Sequence, residues 1–226
     1  MTTLLAIGLC LAAAGAETPD RPCVLIVVGA PGTSEYESQF GQWADQWQAA
    51  ATKAKWETRP SPRKASGGGV GRGRGVTYVK YENVRTYVAA VAEVEVERPS
   101  GAIRVTRVTV AQDCDQIINP DGVRAQLEGN VIQTVSRTLK EELKWDRSRV
   151  TSVDWQSYPI LTFSEVPVVQ SELINRPADP PWGVGEPSAA VVPSAISNAV
   201  FDATGVRMRT VPFTPERFKA AAKAQS

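Results

Sequence analysis

Apolar and polar residues alternate through the middle of the chain, in the manner of half-buried strands. Val76–Glu82 alternates at every second position, and Thr86–Glu97 continues as a long strand whose second half alternates apolar residues with glutamate. Arg98–Gly101 has the composition of a turn, and Ala102–Ala111 returns as a partner strand, so a hairpin is predicted. Two further short strands are predicted, over residues 158–163 and 166–174.

The spacing of apolar residues becomes helical after this hairpin. Asn119 and Pro120 form an N-cap and a first helical residue, and apolar residues then recur every four positions from Val123 to Leu139. A second buried helix is predicted up to Gly205, and a terminal helix begins at Thr214. Helices packed on a mainly antiparallel sheet indicate the α+β class.

Residues 1–16 resemble a signal peptide. They form a short apolar run that ends in the small residues Ala14-Gly15-Ala16, although no positive residue precedes the run. The alternative is a buried N-terminal helix, and the run is too short to span a membrane. The expected compartment is periplasmic or secreted if the peptide is cleaved, and cytoplasmic otherwise.

Two segments without a clear function follow the predicted signal peptide. Residues 17–55 are predicted as a β-turn-α segment, whose glycine-containing turn lacks both the Lys-Ser/Thr pair of a P-loop and a GxGxxG motif. Residues 56–75 are rich in Pro, Gly and Arg and are predicted as a linker. Residues 76–226 then form the main domain.

Composition excludes several kinds of chemistry. The net charge is +1, which does not favour binding to nucleic acid or to an acidic membrane surface. The sequence contains no histidine, so a His general base or a Ser–His or Cys–His nucleophile is excluded. The three cysteines show no CxxC spacing, which does not favour a metal cluster. Cys23 and Cys114 could pair in an oxidising compartment, but they lie in unrelated segments and are predicted to be free, partly buried thiols.

One segment near the C-terminus places a single carboxylate on a tight turn. Two glycines flank Val184, and Glu186 follows them at the start of a helix rich in small residues. Taken alone, a glutamate at this position most often only stabilises the positive end of a helix dipole. The nearby Trp182 and the more distant Trp155 could line a substrate funnel, although large apolar side chains are more often part of the core.

Six motifs follow one another along the second half of the chain: Asn83–Ala89, Asp113–Pro120, Gln126–Gln133, Tyr158–Phe163, Gly183–Pro187 and Phe201–Arg207. In this order they resemble the molybdopterin-binding large subunit of the xanthine dehydrogenase and aldehyde oxidase superfamily. The resemblance covers the C-terminal part of that subunit, and the branch most similar in pattern is the beta subunit of isoquinoline 1-oxidoreductase. It begins at about residue 74 in this chain, or as early as Trp56.

The resemblance implies a function and a site. In the family, the glutamate of the Gly-x-Gly-Glu turn is a general base that takes a proton from a molybdenum-bound hydroxyl during hydroxylation of an N-heterocycle or an aldehyde. In this sequence that residue is Glu186, and Gly183, Val184 and Gly185 become candidate contacts to the molybdopterin cofactor. The resemblance also implies that electrons leave through [2Fe-2S] centres on a small partner chain.

The same resemblance predicts that the site is incomplete. The glycine-rich loops that hold the cofactor in the family lie upstream of the resembling part, and residues 1–75 show no counterpart. A separate chain would have to supply the rest of the molybdenum site, because the cofactor carries out the difficult chemistry. The alternative is a non-catalytic, secreted α+β protein that arose by fusion or truncation and retains only the fold.

Overall fold

The computed structural model describes residues 6–8, 25–27, 44–45, 47–57, 59–63, 69–83 and 86–225. Near the N-terminus, β1 (Ala6–Gly8) and β2 (Leu25–Val27) pair as a short antiparallel sheet. Most of the predicted signal peptide and of the segment 17–55 lies outside the described residues, so both remain predictions. Within the described part of the chain, no helix is long and apolar enough to cross a membrane.

A four-stranded sheet forms the centre of the molecule, with strand order β3-β4-β5-β6. β3 (Val70–Lys80), β4 (Tyr87–Glu97) and β5 (Ala102–Asp113) are antiparallel neighbours, so the predicted hairpin is confirmed. β6 (Val168–Ile174) pairs with β5 in parallel, because the chain crosses over through a helix before it returns to the sheet. The fold is therefore α+β with a mixed, mostly antiparallel sheet.

The two faces of the sheet are covered by different helices. Three helices, α2 (Pro120–Leu139), α3 (Val192–Thr204) and α4 (Pro215–Gln225), contribute to the main core with alternate residues of β4 such as Val88 and Val94. The opposite face carries a smaller cluster, in which Ala50 and Ala54 pack against Ala89, Val91 and Ala111. Ala50 belongs to α1, which is helical over residues 47–53.

The far end of β4 is half-exposed, as its alternation of valine and glutamate predicts. Glu93 and Glu95 lie beyond the edge of the smaller cluster and form ion pairs with arginines of both neighbouring strands. Glu93 pairs with Arg74 at 2.9 Å, and Glu95 pairs with Arg72 at 2.9 Å.

The predicted linker boundary requires a correction. Residues 70–75 do not belong to an irregular loop, because they form the first half of β3. The glycines in this stretch serve close packing: a Cβ on Gly73 would lie within 3.0 Å of the backbone of Ala199 in α3, and one on Gly75 within 3.0 Å of Ala195. A glycine-rich composition here reflects a helix lying directly on a strand.

The start of α2 is confirmed, whereas the strand predicted over residues 158–163 is wrong. Asn119 Oδ1 accepts hydrogen bonds from the amides of Asp121 and Gly122, as an N-cap does. In the segment before β6, the amide of Leu161 donates to Ser136 Oγ and that of Thr162 to the Glu165 carboxylate. Because side chains satisfy these backbone groups, the segment does not pair with the sheet.

Candidate active site

The Gly183–Glu186 turn is anchored by its neighbours and exposed at its tip. The amide of Trp182 donates to the Cys114 carbonyl at 3.0 Å, and Thr86 Oγ1 donates to the Gly183 carbonyl at 3.4 Å. Val184 packs against the main core, and Pro187 is buried. The glycines and Glu186 remain exposed, so the backbone of the turn is held while the carboxylate stays accessible.

Glu186 has a held oxygen and a free one. Its backbone, at φ −127° and ψ −24°, is outside the helical region, as the following proline favours. Tyr81 Oη donates a hydrogen bond to Glu186 Oε2. Oε1 accepts no hydrogen bond from any residue that the structure describes, so it is the oxygen available to take a proton.

The carboxylate opens into a cavity of about 570 Å³ between the turn and α2. Asn130, Gln133 and Arg137 line its far side, one helical turn apart along α2. Asn130 Nδ2 donates to Ser188 Oγ at 3.0 Å, which ties α2 to the short helical turn after Glu186. The cavity therefore combines a carboxylate with polar donors and one guanidinium.

The predicted cofactor contacts, Gly183, Val184 and Gly185, offer accessible backbone groups rather than polar side chains. A Cβ added to Gly183 or to Gly185 would meet no atom within 4 Å, which leaves room for a group to approach the turn. In the described part of the chain, the amides of Gly183, Val184 and Gly185 donate no hydrogen bond. Three free donors beside an open surface fit a ligand rich in oxygen atoms.

No protein ligand set for a metal accompanies this turn. Among the described residues, no three His, Cys, Asp or Glu side chains are grouped so that they could hold a metal ion.

A sequence model of the molybdopterin cofactor-binding domain matches residues 32–167 of this chain. The chain belongs to this family. The match extends the resemblance upstream of residue 56 to residue 32, and so includes part of the segment 17–55.

Relatives of known function show the same relationship. The chain is 43% identical over 185 residues to one subunit of the nicotinate dehydrogenase of Pseudomonas putida, covering 78% of this chain and 16% of that subunit. It is 31% identical to the beta subunit of isoquinoline 1-oxidoreductase of Brevundimonas diminuta, covering 74% of this chain and 21% of that subunit. Quinoline 2-oxidoreductase of Pseudomonas putida 86 superimposes with a TM-score of 0.58 and 30% identity, over 62% of this chain and 19% of that chain.

The chain spans about a fifth or less of the length of these relatives. The family match ends at residue 167, upstream of the Gly183–Pro187 turn, so the role of Glu186 stays a prediction.

The structure adds Tyr81, a site residue that no sequence motif indicates. Tyr81 is 105 positions away from Glu186, and no local pattern links the two. The polar residues of α2 could have been found, because Asn130, Gln133 and Arg137 recur at helical spacing opposite the apolar stripe. Trp155 and Trp182 are both exposed, so neither is the core anchor that such side chains usually are. Neither tryptophan lines the cavity beside Glu186.

Proposed function

We propose that this domain forms one side of the active site of a molybdopterin-dependent hydroxylase, with Glu186 as its general base. The observation that supports this most directly is the Glu186 carboxylate itself, which lines the cavity and has one oxygen held by a hydrogen bond from Tyr81. When bound, molybdopterin supplies the metal that exchanges electrons and oxygen with an N-heterocycle or an aldehyde. The amides of Gly183, Val184 and Gly185 would hold the cofactor, and the Glu186 carboxylate would accept a proton.

Neighbouring residues keep the base in place. The hydrogen bond from Tyr81 fixes one carboxylate rotamer, and the Thr86 contact fixes the turn at Gly183. A base held in one geometry reacts faster than a mobile one, because less reorganisation precedes the transfer of the proton. Arg137, across the cavity, can attract an anionic or electron-rich substrate group.

A test requires the domain together with the rest of a large subunit. We would co-express it with the portion of the nicotinate dehydrogenase subunit that it does not match, measure molybdenum and pterin, and assay nicotinate and benzaldehyde. Glu186→Gln should lower kcat by about 10²–10⁴-fold, the usual contribution of a general base. Its cofactor content should equal that of the wild type.

Glu128→Gln provides a matched control, since Glu128 is exposed on α2 and does not line the cavity. It should leave turnover unchanged. Retention of wild-type turnover by Glu186→Gln would show that another group is the base.

The electron acceptor in this proposal is a small [2Fe-2S] subunit. Two relatives are themselves subunits of larger enzymes, which supports an assembly of several chains. The domain itself lacks the cysteines for such a centre, since the sequence has three in total.

A non-catalytic protein that retains the fold is the second candidate. Absence of molybdenum and pterin from the co-expressed protein would support this second function.

A further inference from the structure

Exposed apolar side chains are concentrated in the irregular segment between α2 and β6. Of the 12 large hydrophobic residues that are exposed in the described part of the chain, seven lie between Leu143 and Phe163. Trp145 is 71% exposed, Trp155 75% and Phe163 101%. Scattered exposed apolar residues need no explanation, but such a concentration is typical of a surface that another protein covers.

The segment is held in shape, so these side chains are displayed by ordered turns. Trp145 and Val150 pair as an antiparallel bridge around a turn in which Asp146 Oδ1 accepts the amides of Ser148 and Arg149. Asp154 caps the next turn in the same way, through the amide of Ser157 at 2.8 Å. An ordered apolar surface loses little conformational entropy on binding, which favours tight association.

This surface is continuous with the element that lines the candidate active site. Lys140 forms an ion pair with Glu165, and the amide of Leu161 donates to Ser136 Oγ at 3.0 Å. Both contacts attach the segment to the last turn of α2, next to Arg137 in the cavity. A partner bound to the segment would therefore be coupled to the same end of α2 that lines the cavity.

We propose that residues 143–163 form the docking surface for the polypeptide that completes the molybdenum-hydroxylase large subunit. The proposal rests on the proposed function, which needs cofactor-binding loops from outside this domain. The relatives have much additional polypeptide outside the matched part, since the match covers only 16% and 21% of two of them. Trp145, Trp155 and Phe163 are the anchors, since tryptophan and other aromatic side chains dominate protein interfaces.

The probe is the unmatched portion of the nicotinate dehydrogenase subunit, tagged and co-expressed with the full 226-residue chain. The test variant is Trp145→Ser combined with Trp155→Ser and Phe163→Ser. The control is Ile118→Ser combined with Val70→Ser, which removes exposed apolar residues outside the segment. The wild type and the control should co-purify with the probe, and the test variant should be recovered with it at least about tenfold less, the loss expected when interface anchors are removed.

Failure to fold is separated from failure to bind by Tm and by a second variant. The substituted side chains are exposed, so the test variant should keep the wild-type Tm. If its Tm is lower, the single variant Phe163→Ser is used in the binding experiment instead. Co-purification of the test variant at the wild-type level would overturn the proposal. Absence of binding by the wild type would overturn the choice of partner.

Two further results distinguish this proposal from others. If the chain alone is a dimer by analytical ultracentrifugation and the test variant a monomer, the surface binds a second copy and the proposal is wrong. Glu186→Gln should bind the probe as the wild type does. Normal binding without loss of turnover in that variant would therefore refute the general base and leave the docking surface intact.

Discussion

At the scale of single residues, Cys114 shows how burial decides the chemistry of a side chain. It follows the last residue of β5 and is buried, and its carbonyl accepts the Trp182 amide beside the candidate active site. Burial raises the pKa of the Cys114 thiol to about 11, and the negative charges of Asp113 and Asp115 act in the same direction. The thiolate is the reactive form of cysteine, so Cys114 is a structural residue.

We predict that Cys114 does not react with a disulfide reagent such as DTNB at pH 8 in the folded protein. The measurement uses Cys10→Ser combined with Cys23→Ser, which leaves Cys114 as the one remaining thiol of three. One equivalent should react after unfolding in urea. Rapid reaction of the folded protein would show that the thiol is accessible and ionised.

The candidate site shows which residues a sequence can reveal. Glu186 and Cys114 belong to short motifs, so their neighbours along the chain indicate their positions. Tyr81 could not be assigned, because the fold alone brings the β3–β4 connection against the Gly183–Glu186 turn. Contacts of this kind depend on the register of a sheet and on the packing of a helix.

At the scale of elements, the contact between β3 and α3 is made mainly by backbone. Gly71, Gly73 and Gly75 occupy alternate positions of β3, and each faces the backbone of α3 at Ala203, Ala199 or Ala195. The intervening Arg72 and Arg74 point to the other face, where their register partners are Glu95 and Glu93. Small residues on both elements allow this close approach.

We predict that Gly73→Ala and Gly75→Ala each lower the free energy of unfolding by at least about 2 kcal/mol, within the range for an overpacked core. An added Cβ would lie within 3.0 Å of α3 backbone atoms, which cannot rotate away. Urea denaturation followed by circular dichroism measures the effect.

The matched control is Gly129→Ala, on the exposed side of α2, where an added Cβ meets nothing within 4 Å. It should raise the free energy of unfolding by about 0.5–1 kcal/mol, since alanine is the better helix former. Equal stability of all three variants would contradict backbone packing between β3 and α3.

The same strand explains why its boundary is mispredicted from the sequence. A run of alternating glycine and arginine has the composition of a loop, yet its period of two is that of a strand with one face against a helix. The hairpin and α2 are predicted well, because there the apolar residues themselves carry the period. Where glycine occupies the buried positions of a strand, the pattern of apolar residues does not reveal the strand.

At the scale of the whole molecule, Asp202 in α3 joins three parts of the chain. Its buried carboxylate accepts hydrogen bonds from the Arg59 guanidinium at 2.8 Å and from the Arg74 amide at 2.9 Å, and its carbonyl accepts the Arg63 amide. Burial opposes ionisation of this group. The hydrogen bonds from Arg59, Arg74 and Ser61 outweigh that effect and hold the pKa of Asp202 below its ordinary value.

We predict that Asp202→Asn lowers the free energy of unfolding at pH 7 by about 3 kcal/mol, as expected when a buried ion pair loses one partner. Because the folded pKa of Asp202 is lowered, its stabilising contribution is complete above the unfolded value of about 3.9 and is lost as the pH falls through the folded value. The difference between wild type and variant should therefore be largest near pH 7 and shrink below about pH 4.

Urea denaturation at pH 7, 5 and 3.5 distinguishes this ion pair from one on the surface. Arg72→Gln breaks the ion pair between Arg72 and Glu95, in which the Arg72 side chain is 77% exposed. It should lower the free energy of unfolding by less than about 1 kcal/mol at every pH. If the loss of unfolding free energy in Asp202→Asn is the same at pH 7 and at pH 3.5, the shape of the Asp202 side chain rather than its charge stabilises the fold. A deficit that shrinks with acid would identify an electrostatic contact that fastens the segment around Arg59 to the sheet and to α3, the helix that follows the Glu186 turn.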